Sequence, residues 1–181
     1  MNETEDFPIS HPISVVELLQ AEKIRVSIDA GPEERAALAE YLGIPEVRML
    51  KADLILRAEP GRQFVLDGHV TAEIVQSCIA TLNPVEARLD GPIRRVYQDG
   101  AAPEDDPEMD PFDDDTPDDV ENGVIDAGAA VCEHIALEME PYPRSPEAPE
   151  DDAAAAGASD DDGLGEDHPF AVLARMRNLE K

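Results

Sequence analysis

Alternation of hydrophobic and polar residues between Phe64 and Tyr97 predicts the central strands of this chain. In the first half of the stretch, hydrophobic side chains fall on one face and polar ones on the other, which is the period of a strand with one buried face. The hydrophobic positions are Phe64, Leu66, Val70, Ala72 and Ile74, and the polar positions are Asp67, His69, Thr71 and Glu73. After the interruption SCIATLNP, the segment VEARLDGPIRRVY predicts a second strand. We expect that strand to bend or bulge at Gly91-Pro92, because proline cannot donate to a strand ladder.

A third run with the same period lies upstream. Its inward positions are Leu50, Ala52, Leu54, Leu56 and Ala58. Pro60-Gly61 follows this run and suits the two central positions of a type II turn. The three runs predict an antiparallel β-meander, which could also close partly into a curved sheet.

Shorter elements precede the meander. Lys23 to Asp29 alternates as a strand, and Pro32 to Leu42 predicts a helix that ends at Gly43. The inward positions are Ile24, Val26 and Ile28 in the strand, and Ala37, Leu38, Tyr41 and Leu42 in the helix. Near the N-terminus, Ser14 has Glu17 three residues later, the capping-box spacing of a short helix, although Ile13 to Val16 also fits a strand.

Another strand and helix follow the meander. Val124-Ile125 predicts a short strand, and Asp126 can cap a helix from Ala127 to about Glu138. Pro141 and Pro143 end that helix. One or two helices covering an antiparallel sheet make an α+β domain.

Acidic residues are concentrated in two segments that predict no regular structure. The chain has 181 residues and a net charge of −28. Residues 1–98 hold 16 acidic and 10 basic side chains, whereas residues 99–167 hold 25 acidic and one basic. Self-repulsion and proline favour disorder in residues 99–119 and 144–166. We therefore expect a domain over residues 1–143 with an acidic excursion at 99–119, a linker at 144–166 and a short helix at 167–181.

The predicted C-terminal helix is amphipathic. Asp167 can cap it, Pro169 lies in its first turn, and its apolar face is formed by Phe170, Leu173 and Met176. This face could fill a groove on the chain's own domain, or it could enter a groove on a partner.

Composition limits the class of protein and the chemistry it performs. The N-terminus lacks the basic and apolar regions of a signal peptide, and no run reaches the length of a membrane span. We expect a monomeric cytosolic protein that has no contact with a membrane. Cys78 and Cys132 are the only cysteines and predict buried, inert thiols, since His69 and His134 lack zinc-finger spacing to them. The sequence predicts no catalytic, cofactor or metal residues, and therefore no enzyme.

Several motifs resemble the YceD family. The residues that carry the resemblance are Gly68, Val70, Ala72, Cys78, Leu82, Pro84, Val85, Glu133–Leu137, Glu140-Pro141 and His168–Leu173. Many relatives have Cys-x-x-Cys where this chain has Cys78 and Thr81, and some have a second pair after the Pro-rich segment; neither pair occurs here. The resemblance implies a role in the accumulation of 23S ribosomal RNA, as in bacteria and plastids.

Two modes of action are compatible with that role. Arg88, Arg94, Arg95 and Tyr97 lie on the last strand of the meander and are candidates for contact with RNA or a partner. The acidic balance favours a non-enzymatic adaptor or chaperone that binds a basic ribosomal protein or assembly factor. Direct binding of RNA through the arginine-bearing face is the alternative, and a hydrolase or nuclease is the third hypothesis.

Overall fold

A computed structural model describes residues 7–100 and 117–148, which form a mixed α+β structure. The elements are β1 (Pro12–Ser14), α1 (Val15–Ala21), β2 (Lys23–Asp29), α2 (Pro32–Leu42), β3 (Glu46–Glu59), β4 (Gln63–Ser77), β5 (Pro84–Gln98), β6 (Asp118–Asp119), β7 (Val124–Asp126) and α3 (Ala127–Glu138). Strands β2 to β6 make one sheet in sequence order, and β1 pairs with β7. The predicted α+β fold class is confirmed, but the sheet is open and is not closed into a barrel.

The antiparallel meander that alternation predicted is present. Strands β3 and β4 pair antiparallel from Glu46↔Val75 to Glu59↔Gln63, and β4 and β5 pair along their whole length. The inward residues of β4 are buried, which confirms the predicted face. Gly61 has φ +82°, as the second central position of a type II turn requires.

The bulge predicted at Gly91-Pro92 is wrong, because the β4–β5 register runs through it without a shift. Among the described residues, β5 has a second neighbouring strand at Tyr97 and Gln98 alone. Pro92 therefore lies on an edge where none of the described strands requires the N–H that proline lacks. An irregularity occurs instead in β3, between Val47 and Met49.

Three helices cover one face of the sheet. Leu18 of α1, Leu38 of α2 and Ile135 of α3 are buried in one cluster with the inward residues of β3 and β4. Helix α2 packs on β3, and α3 packs on β4 and β5. The opposite face of the sheet carries most of the charged side chains of the strands and is called the outer face below.

The helix boundaries agree with the sequence, but one predicted stripe differs. Helix α2 has the predicted bounds and is followed by Gly43 at φ +66°, and Asp126 accepts hydrogen bonds from Gly128 N and Ala129 N of α3. In α2, however, Leu38 and Ala39 are the buried residues, whereas Ala37 and Tyr41 are exposed. Tyr41 instead packs against Phe7, with ring centroids 5.8 Å apart.

Two predicted element boundaries also differ. Ser14 ends β1 and precedes α1, so both interpretations of this region are partly correct, although its side chain makes no capping bond. The excursion predicted at 99–119 ends earlier than expected, because Asp118–Asp119 form β6 beside Tyr97 and Gln98. Residues 101–116 and 149–181 lie outside the described residues, and so does most of the predicted 144–166 linker.

Candidate interaction surface

The four predicted contact residues of β5 lie on two faces of the sheet. Arg88 and Arg94 are opposite Glu73 and Asp67, on the outer face. Arg95 and Tyr97 are opposite Leu66 and Phe64, which are fully buried on the helix-covered face. Neighbouring residues of a strand point to opposite sides, so these four side chains do not form one surface.

On the outer face, the two arginines are paired with carboxylates of the same sheet. Arg94 Nη1 lies 3.2 Å from Asp67 Oδ1, and Asp67 also pairs with Arg57. Arg88 contacts Glu73 Oε1 at 3.5 Å and Asp90 Oδ2 at 3.2 Å. Both arginines are therefore exposed to solvent, but neighbouring carboxylates neutralise their charge.

Asp90 receives a second partner from β4. His69 Nε2 lies 2.5 Å from Asp90 Oδ1. The hydrogen bond from His69, followed by that from Arg88, lowers the pKa of Asp90 below its usual value. The acidic group at the centre of this network thus remains ionised, which maintains the neutralisation of Arg88.

On the helix-covered face, Arg95 of β5 contacts both β6 and α3. Its guanidinium lies 2.8 Å from Asp118 Oδ2 of β6 and 2.8 Å from Glu133 Oε2 of α3. Tyr97 is 9% exposed, and burial raises the pKa of its phenol to about 12. A buried ring cannot serve as a stacking platform for an RNA base. Arg95 and Tyr97 therefore stabilise the packing of the sheet edge.

Carboxylates outnumber cations over the whole described part of the chain. Residues 7–100 and 117–148 carry 22 acidic and 11 basic side chains. At least seven of those basic residues form ion pairs: Arg48, Lys51, Arg57, Arg62, Arg88, Arg94 and Arg95. Such a surface attracts cationic ligands and repels phosphates.

Cys78 lies where the β4–β5 loop meets the segment that follows α3. Its Sγ accepts a hydrogen bond from Ser145 N at 3.3 Å, and Ile79 N donates to Pro143 O at 2.9 Å. Ser145 is itself buried, so the ordered chain extends beyond the predicted boundary at residue 143. Thr81, at the position of the second cysteine in many relatives, belongs to the same loop, and its Oγ1 is 3.5 Å from Ser145 Oγ.

The two thiols differ in acidity. The prediction that both are buried is confirmed. Hydrogen bonds from the Thr81 side chain and the Ser145 backbone lower the pKa of Cys78 to about 6, although burial acts in the opposite direction. Burial raises the pKa of Cys132 to about 11. Only Cys132 therefore has the acidity expected of an inert core thiol.

Three further points concern metal ions, membrane spans and the predicted C-terminal helix. Among residues 7–100 and 117–148, no cluster of three or more His, Cys, Asp or Glu side chains could hold a metal ion. Within those ranges, no helix is long and apolar enough to span a membrane. Phe170, Leu173 and Met176 of the predicted docking helix lie outside the described residues.

Comparison with known proteins adds the family. No curated protein and no solved structure matches the chain significantly. The family model described as large ribosomal RNA subunit accumulation protein YceD matches residues 66–177, which begin in β4 and include β5, β6, β7 and α3. Because this match covers more than half of the chain, the protein belongs to the YceD family of large ribosomal RNA subunit accumulation proteins.

Proposed function

We propose that this protein is a non-enzymatic adaptor or chaperone of large-subunit assembly, which supports the synthesis, processing or stability of 23S ribosomal RNA by binding a basic protein. Family membership supports the connection to large-subunit ribosomal RNA. The observation that carries the proposed route is the pairing of Arg88, Arg94 and Arg95 with carboxylates of the same chain.

Direct RNA binding would be opposed by those ion pairs. A phosphate that contacts Arg88 or Arg94 must displace Asp90, Glu73 or Asp67, and it must also approach a chain of net charge −28. Affinity for RNA comes largely from the counterions that leave the phosphates when lysine or arginine side chains neutralise them, and only cations without a carboxylate partner are available for this. The described surface offers few of those, which favours a protein partner.

A basic protein partner suits the same surface. Opposite charge accelerates encounter and lowers the chance of contact with nucleic acid. Ribosomal proteins are rich in lysine and arginine and must be kept from nonspecific RNA before they are assembled. An acidic adaptor that binds one of them would raise the yield of large subunits, and therefore the amount of 23S ribosomal RNA that is protected in them.

The test is a capture experiment with the immobilised full chain. Large-subunit proteins freed of RNA and 23S ribosomal RNA freed of protein are offered separately over a range of salt concentrations. We expect basic proteins to be retained at low salt and released as salt rises, because exposed charges are screened beyond a Debye length of about 10 Å at 0.1 M salt. We expect no retention of RNA under the same conditions.

The double variant Arg88→Gln/Arg94→Gln is the matched control. It removes the two outer-face arginines that an RNA interface would need, and it increases the negative charge of the chain. Protein capture should be unchanged or stronger in this variant. Retention of 23S RNA by the natural chain, with loss of that retention in the variant, would contradict the proposal and identify a direct RNA-binding factor.

A further inference from the structure

A groove of about 460 Å³ lies where α2 and α3 end. Its lining comes from three segments, which follow α2, end β4 and end α3: Leu42, Gly43 and Ile44; Gln76, Ser77 and Ile79; and Ala136, Leu137, Met139, Glu140, Pro141 and Pro143. The walls include Leu137 and Ile79, which are 79% and 49% exposed. Exposed apolar side chains that line one concave site are typical of an interaction surface.

The electrostatic character of the groove is negative. Both α2 and α3 direct their C-termini to it, and neither has a basic residue in its last turn. A helix C-terminus carries about half a negative charge from its unpaired carbonyl groups. Glu140 lines the groove, and the exposed Glu138 lies between the lining residues Leu137 and Met139. The lining residues include no lysine or arginine. The groove therefore favours a cationic ligand.

The groove wall also contains a hydrogen-bond acceptor that has no donor in the described part of the chain. Gln76 is 5% exposed, and its Nε2 donates to Glu140 O at 2.8 Å. This bond fixes the orientation of the amide. Gln76 Oε1 is then a buried acceptor without a hydrogen-bond partner among the described residues. Because this oxygen is enclosed by protein, it does not bond a ligand directly, but its partial negative charge adds to that of the groove wall.

We propose that this groove binds a lysine- or arginine-bearing amphipathic segment of a basic protein. An apolar side chain of the segment packs against Leu137 and Ile79, and the cationic head groups lie near Glu138, Glu140 and the two helix C-termini. Lysine and arginine fit both requirements, because their stems pack on apolar surface and their head groups only donate hydrogen bonds. The inference rests on the proposed function and locates the binding site for its basic partner.

The probe is a fluorescent peptide of leucine and lysine residues, titrated with the full chain by anisotropy. We expect binding at low salt and no binding of the same peptide with glutamate in place of lysine. Leu137→Ser should weaken binding about tenfold, since it removes one exposed leucine side chain from the groove. Glu138→Gln/Glu140→Gln should weaken binding and reduce its dependence on salt.

Matched controls separate the groove from general surface effects. Leu82→Ser removes a leucine that is 78% exposed but does not line the groove. Glu17→Gln/Glu33→Gln removes two exposed charges on other elements. Neither control should change the affinity measurably. Equal losses in the groove variants and the controls would overturn the proposal.

Other occupants give different results, each of which also overturns it. Tighter binding of a single-stranded RNA oligonucleotide than of the lysine peptide, with sensitivity to Leu137→Ser, would make the groove an RNA site. Tighter binding of a synthetic peptide of residues 168–181 would assign it to the chain's own C-terminus. A concentration-dependent dimer that Leu137→Ser dissociates would assign it to a second copy.

The capture experiment described above distinguishes this inference from the proposed function. If the natural chain and Leu137→Ser retain the same basic large-subunit proteins, the groove proposal fails and the adaptor function stands. If the lysine peptide binds the groove but no large-subunit protein is retained, the adaptor function fails and the groove proposal stands.

Discussion

Gly68 of β4 lies directly opposite Leu54 of β3, so close that a Cβ atom at position 68 would be 2.6 Å from Leu54 Cδ2. The same atom would also clash with the backbone oxygen of Asp53. The two long strands can therefore approach at this point only if residue 68 has no side chain. This contact gives a physical reason for the glycine in the motif that resembles the YceD family.

We predict that Gly68→Ala lowers the free energy of unfolding by about 1–3 kcal/mol, because it overpacks the interior of the sheet. Gly91→Ala is the control. Gly91 lies on the adjacent strand, with no atom within 4 Å of a Cβ placed there, so alanine should change stability by less than about 1 kcal/mol. Urea unfolding of the two variants provides the measurement. Equal stability of Gly68→Ala and Gly91→Ala would show that β3 and β4 can move apart to accommodate the methyl group, and that glycine is not required at position 68.

Arg95 and its neighbour Arg94 should also differ in stability effect. Arg95→Met retains an apolar stem but leaves Asp118 and Glu133 without their shared cation, and we expect a loss of about 1–2 kcal/mol. Arg94→Met should cost less than about 0.5 kcal/mol, because Asp67 keeps its pair with Arg57 and the site is exposed. Denaturant unfolding of both variants tests this, and a larger loss for Arg94→Met would contradict the assignment of Arg95 to the packed face.

Much of the fold could be predicted because local patterns determine it. Strand β2 and helices α2 and α3 have the predicted bounds. Each of their signals (alternation in β2, Pro32 and Gly43 for α2, and the Asp126 cap for α3) acts on residues next to it in the sequence. The buried stripe of α2 was harder, since it depends on how the helix is rotated against β3. Strand β6 could not be predicted, because Asp118 is held by Arg95, a residue 23 positions away.

The candidate site was less predictable for a similar reason. Strand alternation alone separates Arg94 from Arg95, so their placement on opposite faces could have been predicted from the sequence. The groove could not be found in the same way, since Gln76 meets Glu140 across 64 residues of chain. Leu137 gave one local signal: it is an exposed leucine at the end of a helix whose buried positions include Val131, Cys132 and Ile135.

Metal content is a further prediction. Cys78 has Thr81 and Ser145 as its neighbours, and these side chains are poor ligands for zinc compared with thiolates. We expect the purified protein to contain no stoichiometric zinc, and a chelator to leave its melting temperature unchanged. Elemental analysis and a thermal melt with and without chelator test this. One zinc per chain would contradict it.

The acidity of Cys78 predicts a specific dependence on pH. The pKa of this thiol is lowered from an ordinary value of 9.0 to about 6, first by the Thr81 side chain and then by the Ser145 N–H. Thiolate absorbance in the far ultraviolet, taken as the difference from Cys78→Ala, should therefore rise with a midpoint near pH 6. Cys132 should not contribute there, because its pKa is raised to about 11.

The same shift has a consequence for stability, and its sign follows from linkage. Because the pKa of Cys78 is lower in the folded chain than in the unfolded chain, the stabilising contribution of the thiolate is complete above pH 9.0 and is lost as pH falls through about 6. The stability difference between the natural chain and Cys78→Ala should thus increase from pH 6 to pH 9. Thr81→Val should move the titration midpoint upward, since it removes the hydroxyl donor, whereas Thr81→Ser keeps the donor and should leave the midpoint in place. An identical midpoint in Thr81→Val and Thr81→Ser would show that the hydroxyl does not stabilise the thiolate.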